Sequence, residues 1–233
     1  MSQILLVRHA QASFGADDYD CLSQHGLAQA ACLGRWFTRC SRKLDIVVAG
    51  ALRRHSQTAE AALAAMTSEL RPEQPAIVDA GFDEYDADHV VQCAWPEFIE
   101  PAAMRKHLAG HEQPRREFQR LFASAMLRWG SGEQDGDYRE TWSAFRTRCV
   151  AALERAVRAA EGRDLVIFTS GGPITAICAH LMHLPTERAF ELNYVLANTS
   201  VTGLSAGRSG LTLRYINNHA HLDETGAPEV TYR

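Results

Sequence analysis

The sequence predicts an α/β protein, built as a three-layer α/β/α sandwich with a mainly parallel sheet of about six strands and a helical cap insertion. Short aliphatic runs alternate with helical patterns, and a strand followed by a helix, twice over, predicts parallel strands with right-handed crossovers. In the middle of the chain this alternation stops, which indicates an insertion. The predicted strands cover residues 4–7, 44–49, 76–78, 164–168, 198–204 and 211–216.

The first strand carries the most informative pattern in the chain. Four aliphatic residues, Ile4 to Val7, are followed at once by Arg8 and His9. An apolar run of this kind predicts a buried strand, and ligands of open α/β sheets bind beyond the carboxyl ends of the strands. A neutral imidazole is a nucleophile, and a guanidinium can bind a phosphate through two parallel hydrogen bonds. An Arg-His pair also occurs by chance, so His9 could simply end a buried strand.

Helices are predicted between the strands by their caps and apolar spacing. Ser23 is a good N-cap for a helix that runs to about Phe37, and an Ala-rich helical stretch follows Gly50. Residues 141–160 form a strongly amphipathic pattern, and residues 174–182 predict a helix after the fourth strand. The last two strands are expected to pair as a hairpin.

The segment of residues 86–140 is predicted to be a cap of one to three helices inserted into a single domain of residues 1–233. Pro96, Pro101 and Pro114 interrupt it, and a loop of residues 130–137 is expected to close it. Its aromatic residues fit a helix core better than a cofactor site. We expect this cap to determine the substrate and to provide a partly apolar pocket wall.

Composition limits the class of function. The 233 residues are 46% hydrophobic and 22% charged, which is ordinary for a globular protein. A net charge of −4 argues against nucleic acid or an acidic membrane surface as a partner. No signal peptide or membrane-spanning run is expected, and six cysteines without a C-x-x-C pair indicate reduced thiols. These features predict a cytoplasmic protein.

Chemistry-capable residues follow four of the predicted strands. They are Arg8 and His9, Arg54, Glu84, and the segment 170–172. Such strand ends face one crevice, and the set suits a phosphomonoester: arginines bind the phosphoryl oxygens, the imidazole attacks phosphorus, and a carboxylic acid protonates the leaving alcohol. Each residue also has a simpler interpretation. Arg54 could lie on a solvated helix face, Glu84 in an exposed turn, and residues 170–172 at an ordinary helix start.

Five motifs make the chain similar to the histidine phosphatase superfamily, branch 1, which includes the cofactor-dependent phosphoglycerate mutases. Residues 7–10 resemble the strand-Arg-His-Gly motif, and residues 19–30 resemble Asp-x-x-Leu-Ser-x-x-Gly-x-x-Gln-Ala. Residues 50–59 are similar to Ser-Pro-Leu-x-Arg-Ala-x-Gln-Thr-Ala, and residues 168–174 to strand-Ser-His-Gly-Gly. Residues 198–202 match a late Asn-x-Ser-Val-Thr strand. The resemblance spans almost the whole chain.

The resemblance implies a phosphoglycerate mutase-like fold and a role for each site residue. His9 would be the phosphohistidine nucleophile, Arg8 and Arg54 the phosphate clamp, and Glu84 the proton donor. A small phosphorylated substrate would bind, with no metal and no other cofactor, and a homodimer would be compatible with the family. The predicted substrate-binding residues are Arg8, Ser13, Arg54, Ser170 and Gly171.

Three departures from the family pattern bear on activity. Ala10 replaces the usual glycine, and Gly15 stands where many mutases carry a phosphate-binding asparagine. Ser170 occupies the place of the second active-site histidine, and losing one preorganised donor costs roughly 10²–10³ in rate in other enzymes. Another histidine could replace it. The candidates are His180, His219 and His221.

The sequence therefore supports several functions. The first is a metal-independent phosphomonoester hydrolase acting through phospho-His9, with activity reduced by Ser170. A non-catalytic phosphate-binding or regulatory protein on the same fold is the alternative, and mutase-type phosphotransfer fits less well. The sequence does not match a serine hydrolase with Ser170 as nucleophile. The nucleophile elbow of such enzymes has the pattern G-x-S-x-G, and Phe168 occupies its first glycine position. The His219-x-His221 pair fits a structural role or a pocket rim better than a metal site.

Overall fold

A computed structural model describes residues 2–13, 20–208 and 210–232 of the chain. The strands are β1 (Ser2–Arg8), β2 (Ile46–Ala49), β3 (Ile77–Val78), β4 (Leu165–Thr169), β5 (Val201–Gly207) and β6 (Gly210–Asn218). The helices are α1 (Gln24–Arg39), α2 (Arg53–Ala64), α3 (Ala87–Ala94), α4 (Pro101–Ala109), α5 (Pro114–Ser131), α6 (Trp142–Ala160), α7 (Gly171–Met182) and α8 (Thr186–Val195).

The described strands form one sheet in the order β3-β2-β4-β1-β5-β6. Strands β1, β2, β3 and β4 are parallel, whereas β5 pairs antiparallel with β1 and β6 antiparallel with β5. The prediction of a mainly parallel sheet of six strands with a terminal hairpin is confirmed. Because β1 and β4 are central neighbours, their carboxyl ends lie side by side in the middle of the sheet.

The core is divided by the sheet into two layers, as strand periodicity requires. In β1, Ile4 and Leu6 face a core formed with α6 and α7, and Leu5 and Val7 face a core formed with α1 and α2. The same alternation holds in β4. Helices therefore cover both faces of the sheet, which confirms the three-layer architecture.

Local signals position the helices as expected. The Ser23 hydroxyl accepts a hydrogen bond from Gly26 N at the start of α1, and the Thr141 hydroxyl accepts one from Ala144 N at the start of α6. The cap contains three helices, α3 to α5, and Pro101 and Pro114 each begin one of them. No described helix has the length and apolarity needed to cross a bilayer.

Two details differ from the prediction. Helix α5 continues through Gly130 and Ser131, where a loop was expected, because α5 packs tightly on α8: a Cβ on Gly130 would lie 2.5 Å from Thr186 Cγ2 and 2.6 Å from Phe190 Cε2. Glycine is used here for close helix contact and not for a turn. Helix α8 itself was not predicted, since only Ala189 and Phe190 are buried within its ten residues.

Candidate active site

The carboxyl ends of β1 and β4 bring the nucleophile candidate and the start of α7 together. His9 N donates a hydrogen bond to Thr169 O at 2.7 Å, which continues the parallel pairing of the two strands by one residue. Ser170 and Gly171 follow at the N-terminus of α7, and a helix N-terminus favours anions. The predicted convergence of these strand ends is therefore present.

The His9 side chain is held in one tautomer. Its Nδ1 lies 2.8 Å from Ala10 O, and because a carbonyl oxygen can only accept, Nδ1 carries the hydrogen. Burial, followed by the charges of Arg8 and Arg54 and then the neighbouring His55, lowers the pKa of His9 well below its ordinary value. The ring is therefore neutral at physiological pH, with its lone pair on Nε2. A neutral imidazole with a fixed lone pair is suited to nucleophilic attack.

Hydrogen bonds from two other elements fix the backbone around His9. Ala10 N donates to Thr58 Oγ1 at 3.0 Å, and Thr58 Oγ1 donates to Arg54 O at 2.6 Å. From the other side, Asn198 Nδ2 donates to His9 O at 3.0 Å. Helix α2 and the turn before β5 thus position the nucleophile candidate relative to Arg54.

Two arginines provide positive charge beside His9, since both lower its pKa. The Arg8 guanidinium donates through Nη1 to Leu196 O after α8. Arg54 extends from the first turn of α2, and its Nη1 donates to Asp20 Oδ1 at 2.7 Å. Asp20 Oδ2 also accepts a hydrogen bond from Arg53 N at 2.8 Å, so this carboxylate ties Arg54 to the start of its own helix.

Glu84 lies at the N-terminus of α7 as a partly buried carboxyl group. Its Oε2 accepts from Gly172 N at 3.1 Å and its Oε1 from Tyr85 N at 3.3 Å. Burial raises the pKa of Glu84, while the Gly172 hydrogen bond and the charges of Arg54 and Arg8 oppose the rise. A carboxyl group with a raised pKa can act as a general acid closer to neutral pH.

Ser170 contacts a histidine outside the set of residues predicted from the sequence. His55 Nε2 lies 2.7 Å from Ser170 Oγ, and both side chains are fully buried. The His55 ring centroid lies 5.9 Å from that of His9, and its Nδ1 lies 3.7 Å from Asp83 Oδ1. Burial, then the Arg54 charge, lowers the pKa of His55 to about 3. This imidazole is neutral in the site.

The other histidine candidates lie elsewhere. His180 is exposed near the end of α7, and His219 lies 3.7 Å from Asp223. His221 is buried and its Nε2 lies 2.9 Å from Thr199 Oγ1, in the turn that holds the His9 carbonyl. In the described part of the chain none of these three histidines contacts Ser170. His221 therefore has a structural position, as the sequence analysis favoured.

The remaining predicted residues divide into two groups. Gly171 lies against Arg8 and Asn193. A Cβ on Gly171 would stand 2.5 Å from Asn193 Oδ1 and 3.6 Å from Arg8 Nε, so the glycine lets these two side chains approach the backbone closely. Ser13 lies on the loop after β1, where its N donates to Cys21 O at 2.7 Å, and no described contact joins it to His9 or Glu84. Its substrate contact stays a prediction. Gly15 lies outside the described residues.

Aromatic side chains pack against Tyr85, the residue that follows Glu84. The Tyr85 ring packs 4.9 Å from Trp129 and 5.5 Å from Phe145, and burial raises its pKa well above the ordinary value. The ring centroid of Phe122 in the cap lies 6.5 Å from that of the partly exposed Tyr194. Trp129 is fully buried, as expected for a helix core. Phe122 and Tyr194 bring aromatic surface from the cap and from α8 together.

Residues missed by sequence reasoning come from elements whose positions depend on tertiary contacts. Asn193 belongs to α8, and its Oδ1 lies against Gly171, 2.5 Å from where a Cβ would stand. Asp20 was part of a recognised motif but received no role. His55 did carry a signal, since it is a histidine where the resembled motif has alanine.

Comparisons with known proteins agree with this architecture. The sequence profile of the histidine phosphatase superfamily (branch 1) matches residues 4–115 and 107–219. No curated protein matches the sequence significantly.

Solved structures with the same fold share little sequence identity with this chain. The phosphoserine phosphatase of Entamoeba histolytica is 16% identical at a TM-score of 0.61, over 95% of this chain and 100% of that one. The phosphoglycerate mutase of Bacillus anthracis is 16% identical at a TM-score of 0.63, over 94% of each chain. A mycobacterial glucosyl-3-phosphoglycerate phosphatase is 20% identical at a TM-score of 0.60, over 93% of this chain and 99% of that one.

Proposed function

Because the chain belongs to the histidine phosphatase superfamily, branch 1, we propose that it is a metal-independent phosphomonoester hydrolase acting through a phosphohistidine on His9. The substrate is a small phosphorylated metabolite in the cytoplasm. The observation that carries the proposal is the position of His9 and Glu84 beside the start of α7, where the charges of Arg8 and Arg54 act on both. His9 is kept neutral, as a nucleophile must be, and Glu84 is shifted towards its protonated form, as an acid must be.

In the first step, His9 Nε2 attacks phosphorus and the bond from phosphorus to the ester oxygen breaks. Glu84 gives its proton to the departing alcohol oxygen, while Arg8 and Arg54 stabilise the charge on the equatorial oxygens. In the second step the Glu84 carboxylate takes a proton from water, whose oxygen attacks phospho-His9. Inorganic phosphate leaves, and His9 and protonated Glu84 are restored.

The leaving group faces the cap in this scheme, because Glu84 precedes the cap and adjoins Tyr85. The structural relatives include phosphatases named for phosphoserine and for glucosyl-3-phosphoglycerate. Both compounds are phosphomonoesters and belong in a first substrate panel, with nucleotide and sugar phosphates. The aromatic surface of Phe122 and Tyr194 favours adding esters with apolar or aromatic leaving groups.

The test is hydrolysis of p-nitrophenyl phosphate and of the panel, with a chelator present, by the parent, His9→Ala and the control His180→Ala. We expect the parent and the control to be active and His9→Ala to lose at least about 10³-fold, because the nucleophile is absent. Brief reaction with a substrate labelled in its phosphoryl group should leave acid-labile label on the parent and the control but not on His9→Ala. A His9→Ala variant as active as the parent would refute the mechanism.

A second candidate is a phosphate-binding protein without turnover, and the serine at position 170 is the observation that favours it. In that case inorganic phosphate and vanadate would bind, the Arg54→Ala variant would bind them weakly, and no ester in the panel would be hydrolysed. Mutase activity would instead appear as transfer of label to an added phosphoglycerate. The same purified variants separate all three functions.

A further inference from the structure

Three positions around His9 differ together from the pattern that the chain otherwise resembles. Serine stands at position 170 in place of histidine, histidine at 55 in place of alanine, and glycine at 50 in place of serine. In the structure all three meet at one point. The Ser170 hydroxyl lies 2.7 Å from His55 Nε2, and Gly50 lies beside the other ring nitrogen.

Gly50 provides the space that the His55 ring occupies. A Cβ on Gly50 would lie 2.2 Å from His55 Nδ1 and 2.8 Å from Asp83 Oδ1, both too close for any larger residue. Ser170 provides space on the opposite side of the ring. A histidine at position 170 would place its imidazole beyond its Cβ, in the volume that His55 Nε2 already approaches. The His55 ring therefore fits only with small residues at both neighbouring positions.

The direction of the hydrogen bond between His55 and Ser170 depends on which ring nitrogen of His55 carries the hydrogen. Serine has one hydrogen to donate and two lone pairs that accept. If His55 Nε2–H donates to Ser170 Oγ, the Ser170 hydrogen is free to point to a third group. Ser170 lies at the start of α7, next to Gly171, which approaches Arg8 Nε. A phosphoryl group held by Arg8 would meet the Ser170 hydroxyl from that side.

We propose that Ser170 and His55 together perform the role of one histidine, with the Ser170 hydroxyl donating to a phosphoryl oxygen and His55 as the residue that positions it. The proposal rests on the proposed function and names the source of the missing imidazole. Ser170 would be the catalytic residue of the pair, because its hydroxyl would contact the phosphoryl oxygen. His55 is a positioning residue, which acts through the hydroxyl and whose ring is confined by the close approach of Gly50.

The test is a double-mutant cycle on Ser170→Ala, His55→Ala and the double variant, measuring kcat, KM and vanadate affinity. We expect Ser170→Ala to lower kcat about 10²-fold with a smaller change in KM, since the lost donor acts on the transition state. His55→Ala should cost about tenfold. The double variant should match Ser170→Ala within about twofold, because the two residues act as a unit.

Two further variants distinguish positioning from a structural role. His55→Gln keeps a donor near the Nε2 position and should recover most of the loss. Gly50→Ala should displace the intact His55 ring, lowering kcat about tenfold in the parent but less than about twofold in the His55→Ala background. Gly136→Ala is the control, because nothing lies within 4 Å of a Cβ at that glycine.

The arrangement can also be reversed. Ser170→His combined with His55→Ala should be within about tenfold of the parent, whereas Ser170→His alone should be much less active, because its ring overlaps that of His55. Circular dichroism and thermal melting establish which variants are folded. If a His55 variant does not fold, Ser170→Ala still tests the inference, because it removes only a single oxygen atom.

The outcomes separate this inference from the proposed function. If His9→Ala is inactive while Ser170→Ala and His55→Ala keep kcat and vanadate affinity within about twofold of the parent, the inference is wrong and the phosphatase stands. If His9→Ala stays active and a fluorophosphonate labels Ser170, both are wrong, because Ser170 is then the nucleophile. Should the esters not react at all, the vanadate affinities of the same variants are compared. Affinities of Ser170→Ala and His55→Ala within about twofold of the parent then overturn the inference, and larger losses support it.

Discussion

Gly172→Ala is the substitution whose effect can be worked out most directly from the geometry. Gly172 N donates to Glu84 Oε2 at 3.1 Å, and a Cβ on Gly172 would lie 1.9 Å from Glu84 Oε1. Ordinary contact begins near 3.4 Å, so the carboxyl group must move by about 1.5 Å. The same Cβ would lie 2.9 Å from two ring atoms of Tyr85, which is fixed by Trp129 and Phe145.

A displacement of this size removes Glu84, the proposed general acid, from its place. General acid catalysis contributes about 10²–10⁴-fold, and a 1 Å misplacement can cost about 10²-fold. We expect kcat to fall about 10²-fold for an alkyl phosphate, whose leaving alkoxide needs a proton. The loss should be less than about tenfold for p-nitrophenyl phosphate, whose leaving group departs as an anion.

The assay compares both esters and vanadate binding for the parent, Gly172→Ala and Gly136→Ala. Vanadate affinity should change less than threefold, which is about 0.6 kcal/mol, because neither arginine is moved. Alanine is the better helix former by about 1 kcal/mol, so a general loss of helix stability is not the expected cause. Equal losses for the two esters, or none for either, would show that Glu84 is not the acid held by Gly172.

Two further predictions use other parts of the structure. Because the pKa of Glu84 is raised, the acid form persists above its ordinary range and is lost as the pH rises through the raised value. The rate of alkyl phosphate hydrolysis by the parent should therefore fall as the pH rises above the raised pKa. The Glu84→Gln variant should be slower and should lack that fall. An identical pH profile in both proteins would count against Glu84 as the general acid. Trp129 is fully buried among Tyr85, Trp142 and Phe190, so Trp129→Ala should lower the free energy of unfolding by about 3–5 kcal/mol in a urea titration, and a loss below about 1 kcal/mol would contradict the core described here.

Much of the architecture could be predicted from local patterns. The aliphatic run before Arg8 predicted β1, and Ser23 and Thr141 predicted helix starts that the structure confirms. These signals succeed because strand burial and helix capping depend on residues close together in sequence. Gly130 shows where such reasoning fails: glycine usually marks a turn, but here it allows α5 to contact α8.

The candidate site was only partly accessible to sequence reasoning. Motif order pointed to Arg8, His9, Arg54 and Glu84, because parallel strands bring their carboxyl ends to one edge. The replacement for a histidine at position 170 was sought among His180, His219 and His221, all later in the chain. The structure places His55 there instead, so Ser170→His by itself is a poor way to improve the site.

The sequence alone was therefore enough to predict the strands, most of the helices, the edge of the sheet at which the candidate site lies, and most of the residues that we propose for phosphate binding. Which side chains meet was decided by the tertiary structure alone. His55 and Ser170 are 115 residues apart, and their 2.7 Å contact depends on β2, β4 and α2 packing side by side. The opposite pKa shifts of His9 and Glu84 have the same origin, since burial and neighbouring charges exist only once distant segments are packed together.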